Sequence, residues 1–593
     1  MLWIFKKKWF WLGLICLATM VAYGNSFQVS FIYDDANQIV ESAFIKNPAF
    51  LPKLFTSDYY QLSPKRYRPV TVATYFIQYS LWRLNTWGYH FFKLLLHLAN
   101  VILLYRYLRL LRTGSVVALL GAALFSLHPA HTEAITCISF LDDPLMFFWF
   151  MLSVITATRA VRLIYRQWSW YAASIIFYIL SLASKELALI LPIWLALQFL
   201  VDRFPGFSRR VWFWLGYIVV SLFWIFIRFY WMEKEGWLMI SAGPEISRIH
   251  LIAATYLHYL RVALIPINLC LDYVYPLPVG VFALSPSILL PIAIIVSIIL
   301  IYMAVKSRYF LLGWGWFLLA IFPLGNIIPQ PRLVADRYLY LPLVGFSLVI
   351  AVLIDQLRRR IGGRYFRLSI PIVLILVFIW WGGLIREQNY LWGNPMMFWE
   401  DILRVSPRSA TAHNNLGSLY LSRKEYGSAE EEFRMALQVD PPRQFRAVAY
   451  TNLALVQWGQ GAEEEAVDSL KKAIGADPEY TPAFYELGKI YYQQGKEQAA
   501  LSAYREALSL SPYDYIIYDY LSALSASQGR WEEAAGYARR SVELNPDFAI
   551  GYDHLGIIYA NLGRRADAIR CWRESLELDP DLESARNNLA RVK

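Results

Sequence analysis

The sequence changes character near residue 386, and that break limits the fold more than any single motif does. Before it, apolar runs follow one another with short interruptions. After it, the chain is charged, alanine-rich and helical in pattern. With 57% hydrophobic and 17% aromatic residues over 593 positions, and a mean hydropathy of +0.36, the whole is too apolar for a soluble protein of this length. The pattern predicts an all-α chain: a polytopic membrane helix bundle over 1–386, a connector over 387–406 and a helical soluble part over 407–593. A formal charge of +11 would suit a nucleic-acid binder. The basic residues, however, cluster in short loops between apolar runs, where they report topology. Membrane lipid is the expected partner, and nucleic acid is not.

Lysine and arginine groups stand at 6–8, 106–112, 159–166, 203–210, 306–308 and 358–367. Placing all six on the cytoplasmic side predicts about eleven spans, N-terminus in and C-terminus out. They fall near 9–24, 89–108, 114–128, 144–160, 168–183, 187–202, 211–230, 285–304, 309–326, 337–357 and 368–386. The apolar stretch 249–267 would break the alternation, so it is expected as a helix lying on the outer face. The lysines at 6–8 and the run behind them resemble a signal peptide, but no small-residue cleavage site follows, so the run reads as an uncleaved first helix. Four outer segments result, about 25–88, 128–143, 231–284 and 325–337. They hold the unusual polar residues, so chemistry is expected there. Cys16, Cys137, Cys270 and Cys571 form neither a disulfide framework nor a CxxC metal pair.

The soluble part is a repeat array. Pro478, Pro512, Pro546 and Pro580 recur every 34 residues, and Pro407 and Pro441 share that spacing. A small residue stands 24 before each proline (Gly417, Ala454, Gly488, Ser522, Gly556). An alanine stands 12 before (Ala429, Ala466, Ala500, Ala534, Ala568). Eight before stands a bulky residue in Phe433, Leu470, Tyr504 and Trp572, with Ala538 as the exception. Small residues let two helices approach, and proline ends the second. This is the tetratricopeptide pattern: five units and a polar capping helix near 581–593. Such solenoids hold peptides or proteins on a concave face, although a mere spacer would show the same pattern.

The outer segments carry the candidate chemistry. Asp34 and Asp35 follow the first span. Two adjacent side chains cannot face the same way from an extended chain, so one carboxylate can take a hydroxyl proton while the other anchors the loop or binds a cation. A polar turn capping the first helix is the bland alternative. His128, His131 and Glu133 stand close enough for a zinc site, though not in HExxH order; phosphate hydrogen bonding or loop orientation are the alternatives. Asp142 and Asp143 can bind a divalent cation together with Asp34 or Asp35, or cap the fourth span. Outer-side cations are Arg66, Arg68, Lys185, Arg332 and Arg337. Transfer of a sugar from a lipid phosphate leaves a phosphate dianion that needs such charges; salt bridges to the neighbouring acids are the alternative. No Walker loop, dinucleotide fingerprint or GxSxG occurs.

In order, the chain reads Tyr33-Asp34-Asp35, Tyr67-Arg68-Pro69, Gly88-Tyr89-His90, His97-Leu98-Ala99-Asn100, HPAHTEAI at 128–135, Ser184-Lys185-Glu186 and ADRYLYLP at 335–342, then the repeats. The set resembles the transmembrane and tetratricopeptide repeat O-mannosyltransferases, within the C-type glycosyltransferase superfamily. The resemblance implies an inverting transfer of mannose or a similar sugar from a polyprenyl-phosphate donor to protein hydroxyls, on the periplasmic or lumenal face. It puts the base at Asp34 or Asp35 and makes Arg337 a phosphate ligand; the outer cations Arg332, Lys185 and Arg68 are expected to hold the phosphate with it. His128, His131, Glu133, Asp142 and Asp143 become supporting groups toward the acceptor or a divalent cation; no cofactor is firmly implied. Where the family commonly reads Gly-Arg-Ala-Asp, this chain has Phe140-Leu141-Asp142-Asp143, which bears on donor contacts. A short N-terminus and few repeats imply a bacterial relative in the inner membrane with an undecaprenyl donor; in a eukaryote the endoplasmic reticulum would hold it. Two rivals are an oligosaccharide ligase or polymerase using a polyprenyl diphosphate, and a non-enzymatic membrane-anchored repeat scaffold for envelope assembly.

Overall fold

A computed structural model describes residues 8–55, 67–162, 167–203, 211–233, 248–274, 286–326, 332–360 and 364–592. Arg66 lies outside these residues, as do parts of the basic groups expected at 6–8, 159–166, 203–210 and 358–367. Among the described residues every regular element is helical. The chain divides into two compact units. Unit 1 is 1–40, 67–74 and 82–407; unit 2 is 41–66, 75–81 and 408–593.

The helices through residue 405 are α1 (Lys8–Tyr23), α2 (Pro69–Trp82), α3 (Thr86–Leu110), α4 (Ser115–Ser126), α5 (Asp142–Arg162), α6 (Gln167–Leu182) and α7 (Leu191–Val201). Then follow α8 (Val211–Glu233), α9 (Arg248–Leu264), α10 (Pro286–Lys306), α11 (Arg308–Ile321), α12 (Leu343–Arg360), α13 (Arg364–Trp392) and α14 (Pro395–Val405). Helices stand at every expected span, but their lengths differ widely. Among the described residues, five segments are long and apolar enough to cross a membrane: Lys8–Gln28, Thr86–Leu110, Ile138–Arg162, Ile288–Lys306 and Ser369–Trp392. A sixth is the pair Ser115–Ser126 and Pro129–Thr136, bent by 52°. Shorter apolar helical stretches are Glu186–Val201, Trp212–Ile227 and Arg308–Leu324.

Three stretches differ from the sequence expectation. The segment 25–88 is not all loop. Pro69 opens α2, because a proline at the first helical position gives up only an amide the helix cannot use. Asn85 caps α3 by accepting from the Trp87 amide at 3.1 Å. The connector is helical too: α13 runs on to Trp392, and Asn394 and Pro395 start α14, which buries Phe398, Trp399, Ile402 and Val405. Finally, α9 buries Leu251, Ala254, Leu257, Tyr259 and Val262 along one side, so protein covers that face.

Polar contacts gather at two ends of unit 1. At one, Arg308 donates to the Leu111 carbonyl and to Asp202, both at 3.1 Å, and the Tyr309 hydroxyl donates to the Arg112 carbonyl at 2.8 Å. Arg162, at the end of α5, lies 3.9 Å from Asp202. The loop cations from 112 to 308 thus share one layer. The start of α5 lies at the other end, among the acids and cations described below. Between the layers, glycines set the helix spacing. A Cβ on Gly345 of α12 would fall 2.1 Å from the Gly313 carbonyl of α11, so only small residues fit this crossing.

In unit 2, the helices from α15 (Ala410–Ser422) to α25 (Glu583–Val592) follow one another in pairs, with α25 closing the series. The sequence pattern has a direct physical cause here. A Cβ on Gly417, Gly488 or Gly556 would meet the rings of Phe433, Tyr504 and Trp572 at 2.8, 2.6 and 2.6 Å. Each bulky ring fills the gap its glycine leaves. Gly461, Gly495, Gly529 and Gly563 turn the chain between paired helices at φ of 82°, 71°, 73° and 75°. The left-handed region favours glycine; the first repeat uses Lys424 there, at φ 61°.

Candidate active site

The acid pair is split by its backbone. Tyr33 adopts φ 58°, which turns the next residues apart. Asp35 is fully buried; its carboxylate accepts the Ser139 amide at 2.6 Å and the Ile32 amide at 3.2 Å. Burial raises its pKa, and the amides of Ser139 and Ile32 oppose that rise. Asp34 is only half-buried. Asp35 therefore anchors the loop, and Asp34 keeps access to solvent. The local text shows two adjacent acids; which one is anchored depends on Ser139, over a hundred residues away.

The four cations all meet carboxylates. Lys185 sits 2.6 Å from Asp143 and 3.4 Å from Asp142. Arg68 pairs with Asp142 and, at 2.8 Å, with Glu186. Arg337 pairs with Glu133, whose second oxygen accepts the Arg337 backbone amide at 2.9 Å. Its guanidinium lies 4.1 Å from the Phe140 ring centroid. Arg332 donates to the Leu271 carbonyl at 2.7 Å and to the Tyr33 hydroxyl, and lies 3.8 Å from Asp272. The Tyr33 ring stands 6.3 Å from Phe140 and 5.8 Å from Trp399. Segments far apart in sequence thus converge on one cluster.

Of the two expected histidines, His128 is spent on the fold and His131 is buried among aromatic rings. His128 accepts the Ala130 amide at 3.2 Å through Nδ1, and its Nε2 lies 3.1 Å from the Ala263 carbonyl. Both ring nitrogens are engaged, which leaves none to coordinate an ion. His131 is buried among Phe125 and Tyr340, each 4.6 Å away between centroids. Among the described residues no three His, Cys, Asp or Glu side chains are grouped to hold a metal ion. All four cysteines are free.

Sequence reasoning gave no role to Asp272 or Lys93, and offered Asp336 only as a salt-bridge partner of the outer cations. Asp336 accepts the Cys270 amide at 2.8 Å and the Tyr273 hydroxyl at 3.1 Å. Burial and the nearby Glu133 push its pKa up to about 8. Asp272 faces Arg332, at 3.8 Å. Lys93 of α3 is buried and donates to the Cys137 carbonyl; a lysine inside an apolar run was its visible signal.

Fold and site together define a polytopic membrane helix bundle with a buried ion-pair cluster, followed by a tetratricopeptide solenoid. Models of the tetratricopeptide repeat match residues 408–479, 451–515, 485–549 and 549–582. The curated relatives of the chain are named protein O-mannosyl-transferases. One from Caenorhabditis elegans is 24% identical over 443 residues, covering 71% of this chain and 62% of that one. Tmtc3 of Drosophila melanogaster is 25% identical over 510 residues, covering 72% and 54%. TMTC3 of Homo sapiens is 23% identical over 527 residues, covering 79% and 55%. The chain spans less than two thirds of the length of these relatives. The repeat part is similar to a solved tetratricopeptide protein of Thermus thermophilus, at 22% identity and a TM-score of 0.28, covering 31% of this chain and 98% of that one.

Proposed function

We propose that the chain is a membrane protein O-glycosyltransferase. It transfers mannose or a similar sugar from a polyprenyl-phosphate donor to protein hydroxyls on the periplasmic or lumenal face. One observation carries the reading: a half-buried carboxylate, Asp34, stands beside a cluster to which separate loops bring Arg68, Lys185, Arg332 and Arg337. The names of the relatives support the same class of reaction.

In the proposed step, Asp34 accepts the proton of a serine or threonine hydroxyl as its oxygen attacks the anomeric carbon. The new C–O bond forms as the bond to the phosphate oxygen breaks, with inversion. Polyprenyl phosphate leaves with the electron pair. Its growing charge is met by Arg337 and Arg332, with Lys185 and Arg68 behind them. Because these cations already hold carboxylates, the phosphate must compete with Asp142, Asp143, Glu133 and Asp272 for them. The repeats hold the acceptor polypeptide.

The test is transfer from polyprenyl-phosphate mannose by the purified full chain. Asp34→Asn is expected to lower kcat by about 10²–10⁴. Full activity in Asp34→Asn, in Asp35→Asn and in the double variant would end this mechanism. A donor bearing two phosphates, recovered as the substrate from lipid extracts, would replace it with the ligase reading.

A further inference from the structure

Tyr33 does more than precede the acid pair. Its φ of 58° is a left-handed backbone state that a bulky residue rarely adopts, and such strain persists only where the surroundings over-determine it. Those surroundings are visible. The Ala36 amide donates to the Tyr33 carbonyl at 3.3 Å and the Asp35 amide to the Ile32 carbonyl at 3.2 Å, closing a tight turn. The ring lies between Phe140 and Trp399, the Arg332 guanidinium stands 5.3 Å from its centroid, and the Tyr33 hydroxyl accepts from Arg332. Trp399 is buried on α14. The turn faces Asp35 inward to Ser139 and leaves Asp34 half-buried, close enough to Arg332 for their charges to attract.

We propose that Tyr33 is the positioning residue of the base: its clamped, left-handed turn aims the Asp34 carboxylate, and Trp399 and Arg332 hold the clamp. This rests on the reading of Asp34 as the base. Arg332 thereby joins two tasks, since the guanidinium read as a phosphate ligand also fixes the turn that carries the base. A phosphate arriving at Arg332 is then registered at Asp34 through one side chain. Trp399 gives α14, the last helix of unit 1, a contact with the same turn.

The experiment uses the full-length protein in detergent, with polyprenyl-phosphate mannose and a mixed serine/threonine peptide library as probes. Steady-state kcat and donor KM are measured for Tyr33→Ala, Tyr33→Phe and Trp399→Leu, each alone and combined with Asp34→Asn. Tyr33→Ala is expected to lower kcat about tenfold or more, with the donor KM moving less than about threefold. Tyr33→Phe keeps the ring and is expected to recover most of that loss. In the Asp34→Asn background the Tyr33 substitutions should change the rate less than about twofold, because the group they aim is gone. Equal fractional losses in both backgrounds, or a raised KM at unchanged kcat, would overturn the proposal while leaving the base in place. Full activity of Asp34→Asn alone would overturn the base reading itself. Should Tyr33→Ala fail to fold, as judged by thermal unfolding, Trp399→Leu supplies the same two-background comparison.

Discussion

The polar end of the membrane unit and the repeat unit hold themselves together in opposite ways. The repeats solve one packing problem over and over: Gly417, Gly488 and Gly556 each meet the ring sixteen positions on. Neighbouring repeats are joined by recurring polar links: Asn452 to Asn414 at 2.9 Å, His554 to Asp519 at 2.8 Å and Asn588 to Asp553 at 3.1 Å. The ion cluster has no such redundancy. Each of its pairs occurs once and joins segments tens to hundreds of residues apart. Damage to a repeat should therefore stay local, whereas damage to the cluster should spread through every loop tied to it.

The largest expected effect comes from the cluster. Glu133→Gln leaves the Arg337 guanidinium, 3% exposed, without its charged partner. Breaking a buried pair on one side costs about 3–5 kcal/mol. The variant should unfold at a clearly lower temperature in detergent, and the loss should be visible from probes on α5 and α12 alike. A shift no larger than that of a surface substitution would break the contrast between the two regions.

The next effect belongs to the repeats. Gly488→Val places methyl groups against the Tyr504 ring, which is buried and stacked on Tyr520 at 5.5 Å. Overpacking of this kind costs about 1–3 kcal/mol. Hydrogen exchange should accelerate in the helix pair over 481–510 and its neighbours, and should not accelerate in the membrane unit.

The same contrast explains what was legible beforehand. The helix positions could be read because hydropathy and loop charge are local signals. The repeats could be read because a period of 34 displays each contact several times. The cations and the acids they meet stood out singly, as charges where apolar sequence was expected, but which acid pairs with which cation did not. Arg68 and Glu186 are 118 residues apart, and Arg337 and Glu133 are 204 apart; no local pattern encodes such pairs. Which acid of 34 and 35 is buried depends on the Ser139 amide and on one backbone angle at Tyr33. The loop expected over 25–88 concealed α2 because its proline reads as a breaker until it is seen at a helix start.

A smaller effect tests the periodicity at its one irregular turn. Lys424 occupies the position that glycine takes in the four other repeats, at φ 61°. Lys424→Gly relieves roughly 1 kcal/mol of left-handed strain and gives back about half or more of it as unfolded-chain entropy. A gain of a few tenths of a kcal/mol is expected. A loss would mean that the Lys424 side chain contributes a contact worth more than the turn.

The smallest effect is a titration. His554 donates through Nδ1 to the Asp519 carboxylate at 2.8 Å, and its pKa is raised above 6.5: burial opposes the charged form, but the hydrogen bond and charge of Asp519 outweigh it. The folded state therefore binds this proton more tightly than the unfolded state. The resulting stabilisation is fully present below the unfolded pKa and is lost as pH rises through the higher folded value. The imidazole is 38% exposed, so solvent screens the pair and the change is small. Hydrogen exchange over 515–561 should rise modestly as pH climbs past the ordinary histidine range, after correction for the intrinsic pH dependence of exchange. His554→Gln should flatten that rise without altering the pairs at Asn452 or Asn588. A pH response that survives His554→Gln would place the titrating group elsewhere in the repeats and remove His554 from the inter-repeat links that matter.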